Sequence, residues 1–157
     1  MDRIVTVSGD AVHEPGNFKV PFGMNQAELI EAAGGYKVDP EKIISGGPMM
    51  GFSMFTVDVP VTKTSSSILC FTKDEVAQYE PTACINCGRC VEVCPSRLIP
   101  SRLADYAEHH DEEAFTKHEG LECMECGSCS YVCPAKRQLK QAIGSMRKTA
   151  LANRKKK

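Results

Sequence analysis

Tryptophan is absent from this 157-residue chain, and aromatic residues make up only 6% of it. After Tyr131 there is no Phe, Tyr or Trp, although basic residues are dense there. A surface that stacks bases needs aromatics among its cations, so nucleic acid is not an expected partner. No apolar run approaches the roughly 18–20 residues that span a bilayer. Residues 1–12 carry no apolar core of a secretory leader. A cytosolic setting is therefore expected, in which thiols stay reduced. No Gly-Lys-Ser/Thr of a phosphate loop occurs, and Gly46-Gly47-Pro48-Met49-Met50-Gly51 lacks the G-x-G-x-x-G spacing, so it reads as a turn. No nucleophile and base stand at a spacing that supports catalysis. No catalytic residue is expected.

Charge is unevenly placed. The formal net charge is −1, from 19 basic and 20 acidic residues. Nine of the basic residues, from Lys136 to Lys157, share their segment with no acidic one. Residues 1–135 are left with ten basic against all twenty acidic groups, a net −10. An acidic body with a basic C-terminal helix and tail (136–157) suggests attachment to an acidic protein or to anionic lipid.

Nine cysteines in 157 residues lie below the roughly 8–10% of a disulfide scaffold, and an odd number cannot pair completely within one chain. Eight of them form two runs of one spacing. Cys84-x2-Cys87-x2-Cys90-x3-Cys94-Pro95 is followed by Cys123-x2-Cys126-x2-Cys129-x3-Cys133-Pro134. Seven of twelve positions match between 84–95 and 123–134, which is an internal duplication. Three cysteines, each three apart, wrap one loop around an iron–sulfur cubane. The fourth, before proline, reaches the cluster of the other run. One [4Fe–4S] cluster is thus expected on Cys84, Cys87, Cys90 and Cys133, and a second on Cys123, Cys126, Cys129 and Cys94. Ile85, Val91, Met124 and Val132 are expected to form a dry shell. Zinc needs only four ligands and leaves the third cysteine of each run unexplained. Cys70 is read as a small buried apolar residue.

The rest of the chain suggests an α+β protein. Ile4, Val5 and Val7 begin one strand, and Phe18, Val20 and Phe22 mark a second after a Pro15-Gly16 turn. Asn25 caps a helix carrying Leu29, Ile30 and Ala33. Phe55, Val57, Val59 and Val61 alternate with polar residues and Pro60, which predicts an edge strand. Ile68–Phe71 predicts one more short extended run. Thr72 and Glu75 predict a short helix toward Tyr79, and Thr62–Ser67 is a candidate seam. Helices are predicted over Ser101–Asp111, after Asp111, and along a final stripe of Leu139, Ile143, Met146 and Ala150. A small β-grasp-type domain (1–70) would precede a helical two-cluster domain (71–135).

These residues together resemble the RnfC family, the C subunits of the Rnf electron transport complexes. The resemblance rests on Val7–Val12 (VSGDAV) with Pro15–Phe18, Ser45–Phe52 (SGGPMMGF), Asp58–Thr64 (DVPVTKT) and Cys123–Lys136 (CMECGSCSYVCPAK). It implies an SLBB (soluble-ligand-binding β-grasp) domain before about Ser66, then an α-helical ferredoxin domain holding both clusters on the eight cysteines named. It implies part of an ion-translocating ferredoxin:NAD⁺ oxidoreductase, coupled to Na⁺ or H⁺. The expected partners are other Rnf subunits, and the expected location is peripheral on the cytoplasmic side of the membrane. FMN and NAD(H) would belong to an N-terminal domain that the family carries and this sequence does not include, so a fragment or short subunit is expected. A cobalamin-reductase iron–sulfur subunit of similar layout, and a binding module for a soluble ligand or partner, are the alternatives.

Overall fold

A computed structural model describes residues 1–155. The chain divides into two compact units, Met1–Gln78 and Tyr79–Lys157. The first is built on a five-stranded mixed sheet in the order β2-β1-β5-β3-β4. Strands β1 (Asp2–Ser8) and β2 (Gly16–Pro21) form an antiparallel hairpin that pairs Val5 with Phe18 and Val7 with Gly16. β5 (Ser67–Phe71) lies parallel to β1 and antiparallel to β3 (Lys42–Ser45), and β4 (Phe52–Met54) forms the edge. Alternate residues Val5, Val7, Val20, Ile68 and Cys70 fill one face, as the period-two geometry of strands requires.

Helix α1 (Gln26–Ala32) covers that face with Leu29 and Ile30, and Ala33 just beyond it joins the same core. Each fully buried Val, Leu or Ile contributes roughly 1.5–3 kcal/mol. The Asn25 side chain accepts from the Ala27 N–H at 2.9 Å, so the expected cap is present. Cys70 is fully buried, and burial pushes its thiol up to about 11. It packs as an apolar residue.

Three sequence expectations in this unit fail for identifiable reasons. Residues 55–61 form no strand, although their alternation is the most regular in the chain. Their backbone is engaged by the start of α1: Gln26 N–H donates to Val59 and Val61 N–H to Met24. Val61 is buried there while Phe55 is wholly exposed. Residues 75–78 form a turn and no helix. Thr72, read as a helix cap, instead donates its backbone N–H to Asp10 at 2.9 Å, and Asp74 pairs with Lys42 at 2.6 Å. Those bonds tie 72–78 to the first unit, so the division falls at 78/79. Thr62–Ser67 is not a seam, because it feeds the central strand β5 and Ser65 is buried.

The second unit is helical. α2 (Arg89–Glu92) and α5 (Ser128–Tyr131) are single turns within the two cysteine runs. α3 (Pro100–Glu108), α4 (Glu112–Lys117) and α6 (Leu139–Arg154) pack Leu103, Ala104, Phe115, Leu139, Ile143 and Met146 into one core. α3 is shorter than expected because Asp111 belongs to the next helix, where its carboxylate accepts from the Ala114 N–H at 2.9 Å. The apolar stripe of α6 is buried as its spacing required.

Candidate metal centre

The duplication runs further than the cysteines. Moving 39 positions along the chain, from Cys84 to Cys123, superposes the local structure of one run on the other. Asn86 and Glu125 both have a left-handed backbone, with φ of 53° and 55°. Gly88 and Gly127 follow at 76° and 83°, each opening a one-turn helix. Arg97 and Lys136 repeat the conformation at 54° each. α3 and α6 begin at Pro100 and Leu139, again 39 apart. The left-handed residues bend each loop back on itself, which lets thiols three residues apart face one volume.

Two cavities result. Cys84, Cys87 and Cys90 line the first, and the fourth cysteine in its wall is Cys133, from the other run. Cys123, Cys126 and Cys129 line the second, together with Cys94. Each cavity thus brings together three cysteines of one run and the fourth of the other. Every residue lining the first cavity has a counterpart 39 positions away lining the second. Among the described residues no three Cys, His, Asp or Glu side chains converge as one ion would need. Each cavity gathers four thiols, the ligand number of a [4Fe–4S] cluster.

The two sites differ in their surroundings. The first is the more open, about 120 Å³ against about 20 Å³, and its Cys84 and Cys87 are exposed. Ile85 and Met124 line the cavities but are 64% and 55% exposed, so the expected dry shell is incomplete at both rims. Val91 is also exposed at 38%. Where the first wall carries Asn86 and Arg137, the second carries Glu125 and Leu98. The Arg137 guanidinium donates to Asp105 at 2.8 Å and to Glu108 at 2.9 Å, and those carboxylates raise its pKa. Glu125 pairs with Arg147 at 3.3 Å.

Thiol chemistry follows burial. Burial pushes Cys129 up to about 11 and also raises Cys123, while hydrogen bonding with Ser128 lowers Cys126. Burial thus favours the protonated thiol at Cys129 and Cys123, and coordination by iron would have to displace those protons. Backbone N–H groups already point at sulfur in the second site: Leu98 to Cys94 at 3.3 Å and Glu125 to Cys123 at 3.4 Å. Such bonds stabilise thiolate ligands.

The model of the SLBB domain family matches residues 4–53, and that of the 4Fe-4S dicluster domain matches residues 83–137. The chain is 42% identical, over 98% of its length, to the C subunit of the Na⁺-translocating ferredoxin:NAD⁺ oxidoreductase complex of Acetobacterium woodii. It belongs to the RnfC family of ion-translocating oxidoreductase subunits. Another RnfC member, the C subunit of the proton-translocating ferredoxin:NAD⁺ oxidoreductase complex of Clostridium ljungdahlii, is 46% identical over 66% of this chain. The C subunit of the ion-translocating oxidoreductase complex of Yersinia enterocolitica is 39% identical over 75%. The matched region makes up 35%, 23% and 17% of those three relatives, so the chain spans about a third or less of their length. The helical unit is accordingly a two-cluster [4Fe–4S] domain, and the residues present fit it.

Sequence reasoning missed Arg137, Glu125 and the left-handed positions. Arg137 and the Arg97/Lys136 pair lie past Pro95 and Pro134, where a longer 39-residue comparison reaches them, whereas Glu125 lies inside the compared segment opposite Asn86. The basic tail also reads differently. Arg137 and Arg147 are paired within the unit, and Lys136 sits over the Tyr79 ring at 4.5 Å. Lys156 and Lys157 lie outside the described residues. No helix among the described residues is long and apolar enough to cross a membrane.

Proposed function

We propose that this chain relays electrons through two [4Fe–4S] clusters inside an ion-translocating ferredoxin:NAD⁺ oxidoreductase complex. Cys84, Cys87, Cys90 and Cys133 hold one cluster, and Cys94, Cys123, Cys126 and Cys129 hold the other. The observation that carries the reading is the sorting of eight thiols from two runs into two cavities of four. Each cluster, when bound, takes up and releases single electrons with no bond made or broken. The chain's own residues fix the thiolates. Gly88 and Gly127 turn the loops, Pro95 and Pro134 redirect the backbone after the last ligand, and the α3–α6 core keeps the two runs together. Cross-ligation binds each site to both runs, so neither can open alone.

The partners are other members of the complex, and the chain sits peripherally on the cytoplasmic face of the membrane, with the end of the basic helix as a contact. The test is electron counting. The iron-loaded chain should take up two electrons from a low-potential reductant and return both to an acceptor. Uptake of none would reject the relay.

A second reading concerns the first unit. An open groove of about 550 Å³ is lined by Ser45, Met50, Phe52, Phe55 and Gln26, with no charged side chain in its wall. Gln26 is buried, and its Oε1 has no hydrogen-bond partner. This supports a binding role for an uncharged ligand or segment. A thermal-shift screen of neutral compounds, reading the unfolding of residues 1–78, tests it; no hit that depends on Gln26 would reject it.

A further inference from the structure

A third cavity in the helical unit, about 290 Å³, lies between the start of α3 and the end of α4. Arg97, Arg102 and Lys117 line it together with His118, and Glu119 is the one carboxylate in its wall. Arg137 and Arg147 each pair with a carboxylate. Arg97, Arg102 and Lys117 pair with none among the described residues. Three cations from three segments therefore face solvent around one depression. Arg97 has a left-handed backbone, with φ of 54°.

The position of the cavity gives those charges a use. Leu98 and Leu103 line it and also line the second four-cysteine site, so a single layer of side chains separates the two. The exposed side chain of Ile99 adds an apolar contact at the rim. A cationic depression with an apolar edge, backing directly on a redox site, has the features of a docking face for an electron carrier. Charge complementarity steers such a carrier and sets its orientation, and it acts mainly on the association rate.

We propose that the face formed by Arg97, Arg102 and Lys117 docks an acidic protein that carries a redox centre, and that electrons pass there through the Cys94–Cys123–Cys126–Cys129 site. One electron moves from the carrier's centre to the site, with no proton or bond transferred. This rests on the relay function proposed above.

The experiment uses the whole chain with clusters assembled and a strongly acidic reduced ferredoxin as probe. Reduced methyl viologen, a small cation, serves as the control donor. The variant R97Q/R102Q/K117Q should lose about tenfold in the second-order rate with ferredoxin at low salt, and its salt dependence should flatten. Its rate with viologen, a cation that the same face repels, should be no lower than wild type. K117E alone, an exposed change on α4, should move the ferredoxin rate the same way. An unchanged ferredoxin rate and salt slope in both variants overturns the proposal. So does inorganic phosphate perturbing the resonances of Arg97 and Arg102 while the ferredoxin rate ignores the substitutions, because the face would then take small anions only. Iron content separates the two failures. A wild-type chain without clusters overturns the relay itself and this proposal with it, whereas full clusters with unaltered kinetics overturn the docking face alone.

Discussion

Removing pairs of cysteines distinguishes cross-ligation from ligation within each run. In the structure Cys84 shares its cavity with Cys133, and Cys94 shares the other with Cys123. Each site has four thiols and no spare, so one Cys→Ala change removes a quarter of its ligands. Wild type should hold about eight irons, and any single variant about four. The double variants decide. C84A/C133A strikes one site twice and should still hold about four irons, with the remaining signal intact. C84A/C94A strikes both sites and should hold almost none. Ligation within each run would give the reverse, with half the iron kept in C84A/C94A and nearly all lost in C84A/C133A. The assay is iron and sulfide per chain after anaerobic reconstitution, read with EPR of the reduced protein. The non-additivity is the signature of residues that share one site. Four irons in C84A/C94A would refute the partition.

Other consequences can be checked more briefly. A Cβ at Gly9 would lie 1.9 Å from the Cys70 carbonyl oxygen, at a φ of +123°, so G9A should cost about 3 kcal/mol or more in urea unfolding of the first unit. The Cys70 thiol is raised from 9.0 to about 11 in the folded state, so the stability it contributes is complete below pH 9 and lost as pH rises toward 11. Two pKa units correspond to about 2.7 kcal/mol at most, and C70A should remove that part of the alkaline loss. R137Q should lower the reduction potential of the first site by removing a cation from its wall, while R137K should keep it near wild type. An EPR-monitored redox titration reads this, and equal shifts in both variants would assign Arg137 a packing role instead.

Much of the second unit was legible because ligand spacing is a mechanical constraint. A thiol must reach an iron, so the intervals between Cys84 and Cys94 and between Cys123 and Cys133 encode the loops and the placing of each run's fourth cysteine in the other run's cavity. The α6 stripe was legible for a similar reason: Leu139, Ile143, Met146 and Ala150 have one face to bury. The first unit was harder. Alternation from Phe55 to Val61 describes which side chains turn inward, but a strand also needs a partner for its backbone. Gly23–Gln26 took those groups, and Pro60 could not supply a donor. Thr72 had the chemistry of a helix cap and spent it on Asp10, 62 residues away, which no local pattern encodes. The place of Arg137 in the first cavity's wall was hidden because that cavity is closed by residues from both copies of the repeat.

The most direct measurement is iron and acid-labile sulfide per chain, taken with EPR of the same sample after dithionite reduction. Two cross-ligated cubanes require about eight of each, and a spectrum broadened by magnetic interaction between neighbouring centres. Stoichiometric zinc with no iron, after anaerobic reconstitution with both metals present, would contradict the cluster assignment and the electron relay built on it.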